Sequence, residues 1–468
     1  MPSSPLTNRW YAQRCNVYNA WIFNATNRNL NNNNVNNTNQ VGAVTNLRNY
    51  AYMTDEQLFT ILFHTMRSAR RSKRYGRDCA EFERDWAAGL VRMTRQMQEK
   101  SFRVDRNYAF LTSVPKWREI FATSFEGRIA DHLLCDALLP YMERELHPRT
   151  FNNRKSMGAQ AAINRVIEDI YEASEGCTQP CRVIKWDLKG FFPNALCDEI
   201  ERLFCTVIDK YSKDIASDFC EDMPAFLKWL TMVCVHSNPA KHCELRTPRY
   251  LWKEGVGAPI GRLTSQMGMG LYMNGIVQWL NEDCGIRATL FMDDCVMVVP
   301  ERMHGYALAL LPVLRQKLAA KGIRLNEKKF YDQPYEHGLE FLGSHIKPGR
   351  VHLNNKSYGN AIDKVRAANA DSLKLPHLDN FVSSINSYTG LLKLRTDYGR
   401  IRCLRAMIGP EWWNYLSWDE RRLCVSYRPG FTPKERIRRM YNLKTQKKHG
   451  KSSKRPRYGA QQPDQLAA

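Results

Sequence analysis

Three aspartates are the residues of this sequence best placed to do chemistry. Asp293 and Asp294 are adjacent in ATLFMDDCVMVV, between two short apolar runs, and Asp187 closes the apolar run of CRVIKWDLKGFFPNAL. Neighbouring carboxylates repel one another unless a cation lies beside them. A lone carboxylate at the end of an apolar strand needs a partner or solvent. Hard oxygen ligands held on rigid strands are what Mg2+ takes, and two such ions can activate a 3′ hydroxyl and stabilise a leaving pyrophosphate. The chemistry implied is phosphoryl transfer. An isolated Asp-Asp pair is more often a solvated Asx turn, so the surrounding segments must decide.

Those segments supply a scaffold. Residues 181–188 read as a strand, and residues 288–299 as two short strands around a tight acidic turn, which is a hairpin signal. Helical periodicity sets in near Thr54, with Leu58, Ile61, Leu62 and Met66 on one face, and again with Phe82, Trp86, Leu90 and Met93. Further helical stretches fall at residues 358–370 and 378–394, followed by an aromatic patch of Trp412, Trp413 and Trp418, which suggests a third domain.

The chain has 468 residues, 43% of them hydrophobic, enough for two to four domains and a large core. Its 69 Lys+Arg against 47 Asp+Glu give a net charge of +22, which points to a polyanion, most commonly nucleic acid. Residues 434–457 carry net +10, so the basic character extends beyond the tail. A membrane is disfavoured. The first residues lack an apolar signal core, and the 19 uncharged residues 263–281 include Thr264, Ser265, Gln266, Asn274 and Gln278, as a buried helix would. Fourteen cysteines without regular spacing suit free thiols in a reducing cytosol. Cys234, His236, His242 and Cys243 lack the spacing of a zinc site.

Several motifs in fixed order make the sequence resemble the reverse transcriptases, over roughly residues 55–430. VPKWREI resembles the basic segment that grips the incoming triphosphate, with Lys116 and Arg118 as its cations. Asp187 with Phe191 and Phe192 resembles the first catalytic motif, which makes Phe192 the aromatic that blocks a ribonucleotide 2′ hydroxyl. GAPIGRLTSQ, with Ile260, Gly261 and Gln266, resembles the template- and nucleotide-binding motif, and Phe291-Met292-Asp293-Asp294 the metal-binding turn, with phenylalanine where tyrosine is usual. Lys329 in GIRLNEKKF takes the place of a lysine that assists pyrophosphate departure, and Phe341-Leu342-Gly343 resembles the primer grip.

The resemblance implies an α+β right-hand polymerase that binds two Mg2+ ions through Asp187, Asp293 and Asp294 and acts on template RNA, a cDNA or primer strand and deoxynucleoside triphosphates. The expected divisions are a loose Asn-rich leader (1–50), N-terminal helices and fingers (51–180), a palm (181–350), a helical thumb (351–430) and a basic tail (431–468). In the tail, Lys434, Arg436, Arg438, Arg439, Lys447, Lys448, Lys454, Arg455 and Arg457 would clamp RNA, since each neutralised phosphate releases counterions. A solvated charge run is the bland reading of the same residues. Trp412 and Trp413 either stack on bases or pack inside the thumb.

Within the family, IGRLTSQ is similar to the enzymes of diversity-generating retroelements, which have an aliphatic residue and Ser-Gln where intron-encoded enzymes show glutamine and Ser-Pro. That implies error-prone cDNA synthesis in the cytoplasm of a bacterium or from a phage genome, and leaves room for a basic accessory protein. Residues 16–39 contain 12 Asn in 24 positions. By composition this is a disordered leader. By resemblance it is a translated template repeat. A retron or phage-defence reverse transcriptase is the rival within the fold, and a non-catalytic RNA-binding scaffold the rival outside it, though a scaffold has no use for these three acids in a basic protein.

Overall fold

The computed structural model describes residues 53–71, 73, 76–104, 107–112, 117–239, 253–371 and 374–439. The Asn-rich leader, Lys116 and the tail residues Lys447, Lys448, Lys454, Arg455 and Arg457 lie outside them. The chain divides into two compact units between Tyr335 and Glu336, inside the segment expected to form the palm.

The first unit opens with helices α1 (Asp55–Ala69), α2 (Arg77–Arg84) and α3 (Trp86–Gln98). Thr54 starts α1 with a capping box: its hydroxyl accepts from the Gln57 amide at 3.2 Å, and the Gln57 side chain accepts from the Thr54 amide at 2.9 Å. Two orphan donors are thereby satisfied where water alone would otherwise serve. The Phe82-to-Met93 periodicity is shared between α2 and α3, because Asp85 leaves helical geometry at φ −136°. An antiparallel hairpin follows, β1 (Asn107–Thr112) and β2 (Arg118–Thr123), and then the long helix α4 (Phe125–Glu145) and α5 (Ala159–Ala173).

The central sheet is built on β3 (Cys181–Lys189). After it come α6 (Phe191–Asn194), α7 (Cys197–Lys210), α8 (Ser212–Asp218), α9 (Met223–Val235) and α10 (Leu263–Gln278), then β4 (Arg287–Phe291) and β5 (Asp294–Pro300). Helices α11 (His304–Ala309) and α12 (Leu311–Ala320) lead to β6 (Arg324–Leu325) and β7 (Tyr331–Pro334). The strand order is β4-β5-β3-β6, with β7 also paired to β3. β3 is therefore flanked on both edges and its apolar residues are hidden; Trp186 is 0% exposed. The uncharged run that held polar residues is α10, with Met267, Met269, Leu271, Met273 and Ile276 in the core. Among the described residues no helix is long and apolar enough to cross a membrane.

The second unit starts with a three-stranded sheet, β8 (Leu339–Phe341), β9 (Ser344–Lys347) and β10 (Arg350–Leu353), in the order β10-β9-β8. Helices α13 (Asn355–Ala370), α14 (Lys374–Leu394) and α15 (Tyr398–Ala406) and a hairpin of β11 (Leu416–Asp419) and β12 (Cys424–Tyr427) complete it. Trp412 is fully buried and stacks on Phe381 with ring centroids 3.9 Å apart, so it packs the core and offers no face to a base.

Candidate active site

The acidic turn joins β4 to β5. Phe291 pairs with Asp294, which leaves Met292 and Asp293 as a two-residue turn. Met292 has φ +59°, a left-handed conformation that is costly for any residue with a Cβ and that glycine usually supplies. A side chain from elsewhere in the chain braces it: Asn152, 3% exposed, accepts a hydrogen bond from the Met292 amide at 3.2 Å. The next residue, Asn153, donates to the Gln266 carbonyl at 2.9 Å, joining the same loop to the start of α10. Arg154 holds that loop from behind, on Glu143 at 2.9 Å and on the His147 carbonyl at 2.8 Å.

Asp187 and Asp294 face each other directly across β3 and β5, and the Leu188 amide donates to the Asp293 carbonyl at 3.2 Å. Strand pairing thus brings the three aspartates of the two sequence segments to one end of the sheet. Asp187 is 4% exposed. One of its oxygens accepts from the Lys329 ammonium and the other from the Asn326 amide at 3.2 Å. Lys185 reaches Asp294 at 3.5 Å from the strand position two before Asp187. Burial alone would lower the pKa of Lys329, but the hydrogen bond to Asp187 and the charges of Asp187, Asp294 and Asp293 hold it above the usual lysine value.

This donor set is all hard oxygen, and ammonium groups already stand against two of its members, so it suits a hard divalent cation. As the side chains stand, no three His, Cys, Asp or Glu among the described residues converge as an ion-holding group. Cys234 of the discounted zinc cluster is buried and His236 is held by Glu201 at 2.7 Å, while His242 and Cys243 lie outside the described residues.

The loop from Gly257 to Arg262 is tied down on three sides. Ala258 donates to the Phe192 carbonyl and Gly257 to the Ala195 carbonyl, both at 2.8 Å, which fixes it to the turn that carries Phe192. The Phe121 amide donates to the Ile260 carbonyl at 2.9 Å, which docks the loop on β2. Gly261 permits that approach: at φ +115°, any Cβ there would stand 2.9 Å from Ile120 and 3.0 Å from the Phe121 carbonyl. On the far side Arg262 is buried and forks onto Asp131, at 3.0 Å and 2.5 Å, while Thr264 donates to the same carboxylate at 2.8 Å. Burial works against its charge, and Asp131 outweighs burial to keep the guanidinium pKa raised.

The loop therefore unites Phe192, Ile260, Gly261 and the first turn of α10 with Gln266. Arg118 stands exposed at the start of β2. In the second unit Phe341 is buried at the end of β8, and Leu342 and Gly343 form a two-residue hairpin turn with φ +48° and +74°, the geometry of a type I′ turn. Arg395 steadies this hairpin through Ser344, at 2.6 Å. In the basic segment Lys434 and Arg438 are exposed, Arg436 is held by Asp379, and Arg439 lies 5.8 Å from the Phe431 ring.

Asn152, Lys185, Asn326, Asp131 and Arg262 are site residues that sequence reasoning passed over. Arg262 had a signal, being a charged residue inside an otherwise uncharged motif. The others had none, since each is defined by its partner in space.

The model of the family "Reverse transcriptase (RNA-dependent DNA polymerase)" matches residues 112–346, half of the chain, and the chain belongs to that family. The segment holds the three aspartates, the Ile260 loop, β2 to β8 and all but the last residue of β9, the α+β fold of a right-hand polymerase. Solved structures with a similar fold include telomerase from Candida tropicalis in complex with a TWJ fragment of telomeric RNA, at 11% identity and TM-score 0.39, covering 61% of this chain and 53% of that one. Apo telomerase from Candida tropicalis is 10% identical, with TM-score 0.42 and coverage of 61% and 52%. Telomerase from Candida albicans with its TWJ RNA fragment is 11% identical, with TM-score 0.38 and coverage of 66% and 56%. The chain spans about half the length of these proteins. A search of curated proteins gives no match.

Proposed function

We propose that the chain is an RNA-directed DNA polymerase. The observation that carries this reading is the direct pairing of Asp187 with Asp294, with Asp293 in the adjoining turn, inside the family-matched segment. Asp187, Asp293 and Asp294 would hold two Mg2+ ions. Bound there, such ions would supply the charge that activates the 3′ hydroxyl of the primer and neutralises the departing pyrophosphate. Lys116 and Arg118 bind the triphosphate, Phe192 excludes a 2′ hydroxyl, and Gly261 and Gln266 with Ile260 border the nucleotide. Lys329 serves the leaving group, and Phe341, Leu342 and Gly343 position the primer. The test is primer extension by the full chain on a supplied RNA template with deoxynucleoside triphosphates and Mg2+. Product that depends on template, on metal and on Asp187 supports the reading, and its absence under all template and primer pairings counts against it.

The finer reading is error-prone cDNA synthesis of the diversity-generating retroelement type. It rests on Ile260, whose half-buried aliphatic side chain offers no hydrogen bond to a nucleotide and whose carbonyl is already engaged by β2. Ile260→Gln is expected to lower misincorporation opposite template adenine more than opposite other bases, by roughly tenfold if one new hydrogen bond discriminates. Sequencing cDNA made by both proteins measures it, and an unchanged adenine error rate would remove the assignment.

The basic tail is assigned affinity without chemistry. Truncation after residue 433 should weaken binding of template RNA and flatten the slope of log affinity against log salt, because fewer counterions are released. Single-turnover extension at saturating RNA should hold. An unchanged salt slope would make the tail a solvated charge run.

A further inference from the structure

We infer that Lys185 and Lys329 are internal counter-ions of the acidic site, each holding an aspartate that a divalent cation takes over when it binds. The inference rests on the polymerase reading and adds an order of events to it: metal arrival frees the Lys329 ammonium for the pyrophosphate.

Asp187 is the deepest of the three acids, and both of its oxygens are taken, by Lys329 and by Asn326. The Lys329 side chain, by contrast, is 50% exposed, against 6% for that of Asp187. The lysine can swing into solvent while the aspartate stays in place. Lys185 meets the other member of the same pair. It lies on the face of β3 that carries Asp187, its side chain is 14% exposed, and it meets Asp294, the direct cross-strand partner of Asp187. Each of the carboxylates that flank the gap between Asp187 and Asp294 thus has an ammonium group against it.

A divalent ion entering that gap would be repelled by both ammonium groups and attracted by both aspartates. The positive charges of cation and lysines oppose one another at the same carboxylates, so each binds at the expense of the other. Removing a lysine should therefore tighten metal binding to the free protein.

The test is a Mn2+ titration of the full chain, without RNA or nucleotide, followed by electron paramagnetic resonance. Lys185→Gln and Lys329→Gln are each expected to bind Mn2+ about three- to tenfold more tightly than the parent, the scale of one ordinary net hydrogen bond removed from competition. Lys329→Arg, which keeps the charge, should remain near the parent. Lys189→Gln is the control for net charge, because Lys189 is exposed at the end of the same strand and makes no ion pair with the aspartates, and it should change the affinity by less than about twofold.

Circular dichroism melts establish that each variant is folded. Should Lys185→Gln not fold, the half-exposed Lys329 still decides the matter. Equal or weaker Mn2+ binding by the glutamine variants, or tightening no greater than with Lys189→Gln, would overturn the inference. Primer extension by the parent judges the polymerase reading separately, since a parent that extends while its lysine variants show no gain in Mn2+ affinity leaves that reading standing and removes only the exchange.

Discussion

Asp293→Asn is expected to abolish Mg2+-dependent primer extension while leaving RNA affinity nearly intact, a loss of about a thousandfold or more in rate. The substitution keeps the shape of the turn, because the strand pairing of Phe291 with Asp294 and the Asn152 brace on Met292 involve other groups. It removes one negative charge from the proposed site, whose chemistry would consist of charge stabilisation around a transferring phosphoryl group. A single electrostatic partner of a transition state is typically worth roughly 3–4 kcal/mol, and a metal ligand more when its loss empties the site. Extension within tenfold of the parent would refute the catalytic assignment, whereas a parallel loss of RNA binding would place Asp293 in the nucleic-acid groove.

Asp131→Ala should produce the largest loss of stability in the first unit, about 3–5 kcal/mol, because it strands a buried guanidinium with no counter-charge. Arg262 is among the largest fully buried side chains, and Asp131 receives both arms of its fork as well as the Thr264 hydroxyl. The double variant Asp131→Ala with Arg262→Met removes both charges and should recover much of the loss, since an apolar pair of similar volume needs no compensation. Urea denaturation of the three proteins measures the effect. A loss below about 1 kcal/mol in Asp131→Ala would mean that water reaches the pair and that the Ile260 loop is held by its backbone bonds alone.

The chemistry-bearing segments were legible because each is short and locally patterned. An apolar run ending in Asp187, and two apolar runs hinged on Asp293 and Asp294, carry the period of strands in their own residues, and the structure has β3, β4 and β5 there. The same holds for α1, with its capping box at Thr54, and for α13 and α14. Their order along the chain was enough to suggest a family. Less legible were elements whose identity is conferred by neighbours: the two-residue strand β6 exists through its pairing with β3, and the Phe82-to-Met93 periodicity runs across the break at Asp85.

What no local pattern could supply is the set of partners. Lys329 meets Asp187 across 142 residues of sequence, Asn152 meets Met292 across 140, and Arg262 meets Asp131 across 131. At such separations the contact depends on how the whole sheet and α4 pack, and a lysine, an asparagine or an arginine reads as an ordinary polar residue until its partner is beside it. The residue types and spacings of this chain thus contain its reaction class, because ligand chemistry is a property of side chains. The electrostatic balance of the site, with lysines on its aspartates and a buried arginine behind its loop, arises from distances, and distances exist only after the chain has folded.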